Sequence, residues 1–195
     1  MCVLHISFRD MKLSVLVQMS KIMLMPLLLG YYLTMQTETG IFPLLVTAAL
    51  IADTAGDAFL LSQNHRSFIA GSVSFSFGHI MYITYMFMHL HAPYLMIPVF
   101  ILSFYPYYKA VGLAKKTSMK LLVCLYSGLL GILVMACCAS GSLLASIGSV
   151  FFVLSDSMLG LNLVKQKYSP IPIMCTYIIA QLFIISGILS LQGAL

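Results

Sequence analysis

The amino-acid sequence predicts an all-α fold, a polytopic bundle of transmembrane helices, and three observations support this prediction. Hydrophobic residues make up 61% of the 195-residue chain and charged residues only 8%, about a third of the charged share usual in soluble domains. Apolar runs of about 20 residues, the length that crosses a bilayer, recur along most of the chain. The ten lysines and arginines all fall toward one side of the resulting arrangement, as in a membrane protein with a defined orientation.

Seven helical spans are predicted in chain order. Their bounds are 12–35, 41–61, 67–88, 92–108, 118–139, 142–164 and 170–191. The first three spans end at the polar breaks QTETG, SQNHRS and HLHAP, and the next three end at GLAKKTS, ASGS and KQKYSP. Pro170 lies at the start of the last span, where a missing N–H costs little. Pro98 and Pro106 lie inside the fourth span and predict a kink or an early end there.

The basic residues predict the orientation of the chain. By the positive-inside rule, they place the N-terminus and the short segment 1–11 in the cytoplasm and the C-terminus on the far side. The first, third and fifth loops hold no Lys or Arg, and the first of them carries Glu38. The whole chain, 1–195, is predicted to form one transmembrane domain, in a bacterial cytoplasmic membrane or, for a eukaryotic chain, in the endoplasmic reticulum. No basic run is long enough to suggest nucleic acid as a partner.

Ionisable residues recur at one depth within these spans. Each of three helices carries one such residue nine positions from a basic residue, its marker, near the cytoplasmic end of the helix. Asp57 lies nine residues before Arg66, Asp156 nine before Lys165, and Lys21 nine after Lys12. At 1.5 Å per residue, each lies about 13 Å from its marker, while Asp53 and His79 lie deeper. A charge facing lipid costs at least about 2.5–3.5 kcal/mol, so these side chains are expected to line a pocket inside the bundle.

Several other interpretations stay open at this level. His89 and His91 form an H-x-H pair that, with His79, would supply ligands for a zinc-dependent membrane lipid hydrolase. Buried carboxylates and histidines also form proton relays, so a proton-coupled transporter is a second alternative, and a non-enzymatic lipid-binding protein is a third. Small-residue steps such as Ser74 to Gly78 permit close helix packing within one chain or in a homo-oligomer.

Polar residues recur within four otherwise apolar segments, ALIADTAGDAFLL, SFGHIMYI, GSVFFVLSDSMLGLN and YIIAQLFI. Together these segments resemble the YhhN and lysoplasmalogenase family of multi-pass membrane proteins. The residues that match the family pattern are the pair Gly56–Asp57, His79 with Tyr82, Ser155–Asp156 with Asn162, and Tyr177 with Gln181. Two features depart from that pattern. Lys21 is followed by Ile22 rather than proline, and the family usually has eight spans where this chain has room for seven.

The resemblance implies that the chain hydrolyses the vinyl ether bond of lysoplasmalogens, lysophospholipids of the surrounding membrane, without a metal or organic cofactor. The products are a fatty aldehyde and glycerophosphoethanolamine or glycerophosphocholine. This chemistry requires one protonated carboxyl group and one carboxylate, as in glycoside cleavage. Asp57 and Asp156 are the predicted catalytic pair. Which of them is the acid and which the base is left open. The supporting or substrate-binding residues expected around them are Lys21, Asp53, His79, Tyr82, Ser155, Asn162, Tyr177 and Gln181.

Overall fold

The computed structural model describes residues 23–62, 64–102, 108, 112, 120–165 and 170–193. Over these residues the fold is entirely helical, with seven helices and no strand. The helices are α1 (Met23–Met35), α2 (Ile41–Leu60), α3 (His65–Met88), α4 (Pro93–Leu102, beginning with a 3₁₀ turn), α5 (Lys120–Ala139), α6 (Leu143–Lys165) and α7 (Pro170–Leu191).

The observed helix bounds agree with the predicted spans where the two can be compared. The helices α2, α3, α5, α6 and α7 each begin and end within two residues of the predicted bounds. The described part of α1 ends at residue 35 as expected, whereas the predicted beginning of that span, the segment 1–11 and Lys21 lie outside the described residues. The described part of α4 runs from Pro93 to Leu102 and includes Pro98 within the helix, whereas Pro106 lies outside the described residues.

Four of the described helices are long and apolar enough to cross a membrane: α2, α5, α6 and α7. Helix α3 is 24 residues long but more polar, because serines and a histidine replace part of its apolar sequence. Large apolar side chains on the outer faces, such as Leu44, Phe77 and Leu121, are exposed, while Asp53 and His79 are fully buried. This distribution, apolar outside and polar inside, is that of a membrane-embedded helical bundle.

The helices pack as two close pairs, α2 with α3 and α6 with α7, and α5 lies against both α3 and α6. Small residues allow this close approach. A Cβ atom added at Gly148 of α6 would lie 2.8 Å from the carbonyl oxygen of Ala180 on α7. Between α2 and α3, Ser74 donates a 2.7 Å hydrogen bond to the carbonyl of Ala52. Hydroxyl-to-carbonyl bonds of this kind stabilise helix pairs in lipid, where no water competes for the carbonyl.

One end of the bundle is joined by four side chains that we call the Glu38 cluster: Glu38, Tyr85, His89 and Gln192. Glu38 accepts hydrogen bonds from the phenol of Tyr85 (2.9 Å) and the amide of Gln192 (3.0 Å), and its other oxygen lies 2.7 Å from His89 Nε2. The cluster joins the α1–α2 loop to the ends of α3 and α7. It lies at the opposite end of α2 from Asp57, about 24 Å away along the helix axis.

Candidate functional site

The centre of the candidate site is a pair of hydrogen bonds between α2 and α7. Gln181 Nε2 donates to Asp53 Oδ2 at 2.7 Å, and the Tyr177 phenol donates to Asp57 Oδ2 at 3.0 Å. Each helix contributes two residues four positions apart. Asp53, the earlier residue of α2, meets Gln181, the later residue of α7, and Asp57 meets Tyr177. The two helices are therefore antiparallel here, with both aspartates on the same face of α2.

These bonds cross a gap in the helix packing. No Cα atom of α2 lies within 8 Å of a Cα atom of α7, so only long side chains connect the two helices. Asp53, Asp57 and Gln181 are completely buried, and Tyr177 nearly so. The polar groups therefore occupy the interior between the α2–α3 pair and the α6–α7 pair, where a pocket was predicted.

Asp53 is enclosed by its neighbours on α3. Its Oδ1 atom lies against the backbone of Gly78, where an added Cβ atom would come within 2.5 Å of it. The phenol of Tyr82 donates to Gln181 Oε1 at 3.3 Å and also interacts electrostatically with Asp53. Asp53, Tyr82 and Gln181 thus form one compact hydrogen-bonded group, as expected for residues that support a neighbouring carboxylate.

His79 is completely buried among aromatic rings. Its imidazole is edge-on to Phe152, with ring centroids 4.7 Å apart, and edge-on to Tyr126 at 5.6 Å. Neither ring nitrogen has a hydrogen-bond partner in the part of the chain that the structure describes. A buried polar group without a partner costs about 1–3 kcal/mol, and such groups in native proteins call for a functional explanation.

Asp156 lies on α6, partly exposed, and accepts a hydrogen bond at Oδ2 from the phenol of Tyr126 on α5. Tyr126 also contacts His79, and Phe152 contacts both His79 and, at 5.6 Å, Tyr177. A continuous series of side-chain contacts therefore runs from Asp57 to Asp156 through this aromatic layer. Five helices contribute to it: α2, α3, α5, α6 and α7.

The remaining predicted residues occupy less central positions. The Ser155 hydroxyl donates to the carbonyl of Ile173 at 3.0 Å and so takes part in the contact between α6 and α7. Asn162 is partly exposed on α6, six residues beyond Asp156. Lys21, the predicted cationic partner, lies outside the described residues.

Tyr126 is the site residue that sequence analysis missed. It belongs to none of the four segments that resemble the family, and α5 is otherwise one of the most apolar helices. One signal was present in the sequence. A tyrosine within a long apolar helix carries a hydroxyl group that usually finds a partner when buried, and that partner had to lie on another helix.

The three histidines of the zinc alternative do not form one ligand set. His79 and His89 lie on the same helix about 15 Å apart along its axis, and His89 pairs with Glu38 instead. His91 Nδ1 lies 3.1 Å from the carbonyl oxygen of Ser140. Among the described residues, no three His, Cys, Asp or Glu side chains come together as metal ligands.

Comparison with known proteins gives one match. The model of the YhhN family matches residues 16–188, which include every candidate site residue discussed above. No curated protein and no solved structure matches the chain.

Proposed function

The chain belongs to the YhhN family, which includes lysoplasmalogenases, and from this membership we propose that it is a lysoplasmalogenase. It would cleave the vinyl ether bond of lysoplasmalogens in its own membrane, giving a fatty aldehyde and glycerophosphoethanolamine or glycerophosphocholine. The observation that carries the proposal is the series of side-chain contacts that links buried Asp57 to partly exposed Asp156, each held by a phenol from another helix.

The first chemical step is transfer of a proton to carbon. One aspartate, in its protonated form, gives its proton to the vinyl carbon β to the ether oxygen, and the carbon bonded to that oxygen becomes an oxocarbenium ion. The other aspartate is ionised and stabilises this cation. An interior that excludes water strengthens that electrostatic stabilisation, because the local dielectric constant is low.

Water then adds to the oxocarbenium carbon, and the ionised aspartate takes one of the water protons. The resulting hemiacetal then collapses: the first aspartate, now ionised, takes the hydroxyl proton, the carbon–oxygen bond to glycerol breaks, and the second aspartate gives the proton it took from water to the glycerol oxygen. One water molecule is consumed, and one aldehyde and one alcohol are produced. Each aspartate alternates between acid and base, as in glycoside hydrolysis, so neither is changed after a turnover.

The neighbouring polar residues have supporting roles in this proposal. His79 offers its ring nitrogens to the attacking water or to the substrate, since no described side chain engages them. Gln181 and Tyr82 hold Asp53, which lies one helical turn from Asp57 and keeps the polar interior in place. Lys21 is proposed to pair with an aspartate or with the substrate phosphate.

The test is aldehyde release from a lysoplasmalogen by detergent-purified protein. Wild type is compared with the Asp57→Asn and Asp156→Asn variants, and an acyl-linked lysophospholipid of matched chain and head group is the substrate control. Each variant should lose about 10²–10⁴-fold in kcat, the contribution usual for general acid–base catalysis. Glu38→Gln is the matched control, because it makes the same change from carboxylate to amide about 24 Å from Asp57 along α2.

The outcomes separate the alternatives. Release specific to the vinyl ether, lost in both aspartate variants and retained in Glu38→Gln, supports the proposal. No release from folded wild-type protein contradicts it and favours a proton-coupled carrier or a lipid-binding protein. Loss of release on addition of a chelator favours the zinc-dependent hydrolase.

A further inference from the structure

We propose that Tyr126 is a positioning residue of this reaction, because its phenol holds the Asp156 carboxylate of α6 while its ring contacts His79 of α3. The inference rests on the proposed function and adds to it a residue outside the segments that resemble the family. It also assigns a role to the one hydroxyl of α5 that reaches a candidate catalytic group.

The geometry gives Tyr126 two simultaneous contacts. Its hydroxyl donates to Oδ2 of Asp156 on α6, and its ring lies edge-on to His79 on α3, with an interplanar angle of 61°. Helix α5 packs against both α3 and α6, so it is the element able to connect these two groups. Tyr126 therefore links the Asp156 carboxylate to the His79 ring.

An aspartate that exchanges protons needs such an anchor. Rotation about χ2 of aspartate is broad and nearly two-fold, so an unanchored carboxylate samples many orientations. A hydrogen bond to one oxygen fixes the carboxylate plane and thereby the direction of the other oxygen. Proton transfer requires donor and acceptor about 2.6–3.2 Å apart, and a displacement of 1 Å can cost about 10²-fold in rate.

The same arrangement recurs at the other aspartate. Tyr177 on α7 donates to Oδ2 of Asp57, just as Tyr126 on α5 donates to Oδ2 of Asp156. Packing alone does not explain Tyr126, since an apolar ring would fill the space between α3 and α6 without a hydroxyl in an apolar helix. Each aspartate of the proposed catalytic pair is thus held by a phenol from a different helix.

The test is the Tyr126→Phe variant, which keeps the ring against His79 and removes only the hydroxyl. We expect kcat for lysoplasmalogen to fall about tenfold to hundredfold, with KM within about twofold of wild type and with a fall in melting temperature no larger than that of the Tyr85→Phe control. Tyr85→Phe is the matched control. It removes a phenol that donates to a carboxylate in the Glu38 cluster, and it should lower the melting temperature while leaving kcat unchanged.

A second measurement separates positioning from packing. Because Tyr126 is proposed to act through Asp156, adding Tyr126→Phe to Asp156→Asn should not reduce the residual turnover further. An additive loss, or a rise in KM together with a fall in melting temperature larger than that of Tyr85→Phe, would show a structural role and overturn the inference.

The remaining outcomes distinguish this inference from the proposed function. If wild type is active, Asp156→Asn is inactive and Tyr126→Phe keeps kcat within about threefold, the positioning role is wrong and the proposed function stands. If folded wild-type protein releases no aldehyde, both fail.

Discussion

The phenol of Tyr177 donates a 3.0 Å hydrogen bond to Oδ2 of Asp57, across two helices with no Cα atoms within 8 Å of each other. The bond joins residues 120 positions apart in the chain. It brings an aromatic side chain of α7 against a carboxyl group of α2 in the middle of a bundle where lipid-facing charge would be costly.

Replacing Tyr177 with phenylalanine should reduce both stability and activity. The ring packing against Phe152 is kept, but a buried carboxyl group loses a donor, at a cost of about 1.5–3 kcal/mol. We expect a lower melting temperature and at least a tenfold loss of turnover in purified protein. Tyr94→Phe is the control, because Tyr94 is 72% exposed and should tolerate the change. Equal effects of the two substitutions would contradict this prediction.

Gly78→Ala should displace the Asp53 side chain and disturb the contact between α2 and α3. The new Cβ atom would lie 2.5 Å from Asp53 Oδ1, so this side chain must move, and 3.2 Å from the carbonyl oxygen of Ala49, so the α2 backbone must shift by a few tenths of an ångström. A destabilisation of about 1–3 kcal/mol is expected, with reduced turnover. Gly30→Ala is the matched control, since nothing lies within 4 Å of a Cβ atom there and alanine favours helix. Thermal unfolding of both variants in detergent tests the difference.

His79→Phe should separate stability from activity. Phenylalanine preserves the edge-on contacts with Phe152 and Tyr126 and removes two buried nitrogens that have no partner among the described residues. The melting temperature should therefore be kept or raised, while turnover falls by about 10²-fold or more. Full activity in a folded His79→Phe protein would show that the histidine only fills space.

Asp53→Asn should affect turnover less than Asp57→Asn. The two residues are equally buried, but Asp53 is enclosed by Gly78 and Gln181 and is proposed to support the site without contacting substrate. We expect about a tenfold loss for Asp53→Asn and about 10²–10⁴-fold for Asp57→Asn, measured as kcat on the same lysoplasmalogen. The reverse order would assign the catalytic role to Asp53.

Glu38→Gln should weaken the bundle at the end away from the candidate site. The substitution removes the carboxylate that accepts bonds from Tyr85 and Gln192 and pairs with His89. Because the pair is partly exposed, the expected cost is about 1–2 kcal/mol, seen as a lower melting temperature. Turnover by the folded fraction should stay close to that of wild type, and a loss as large as that of Asp57→Asn would show coupling between the two ends.

Much of the fold was predictable because its signals are local. Whether a segment can cross a membrane depends on hydropathy summed over about 20 neighbouring residues. The ends of α2 and α7 could therefore be predicted from composition and from the polar and proline-containing breaks between the apolar segments. The aspartates were recognisable for the same reason, since an ionisable group stands out within an apolar segment. The number of bilayer crossings and the side on which the N-terminus lies stay predictions.

The sequence by itself determined which helices exist and which polar residues they carry into the bundle. Only the tertiary structure decided which of those residues meet: Asp53 with Gln181, Asp57 with Tyr177, Asp156 with Tyr126, and Glu38 with His89. These partners are 30 to 128 residues apart, and no local pattern specifies them. The physical reason is that a buried polar group in an apolar bundle must find a partner, but the helix that supplies it depends on how all the helices pack.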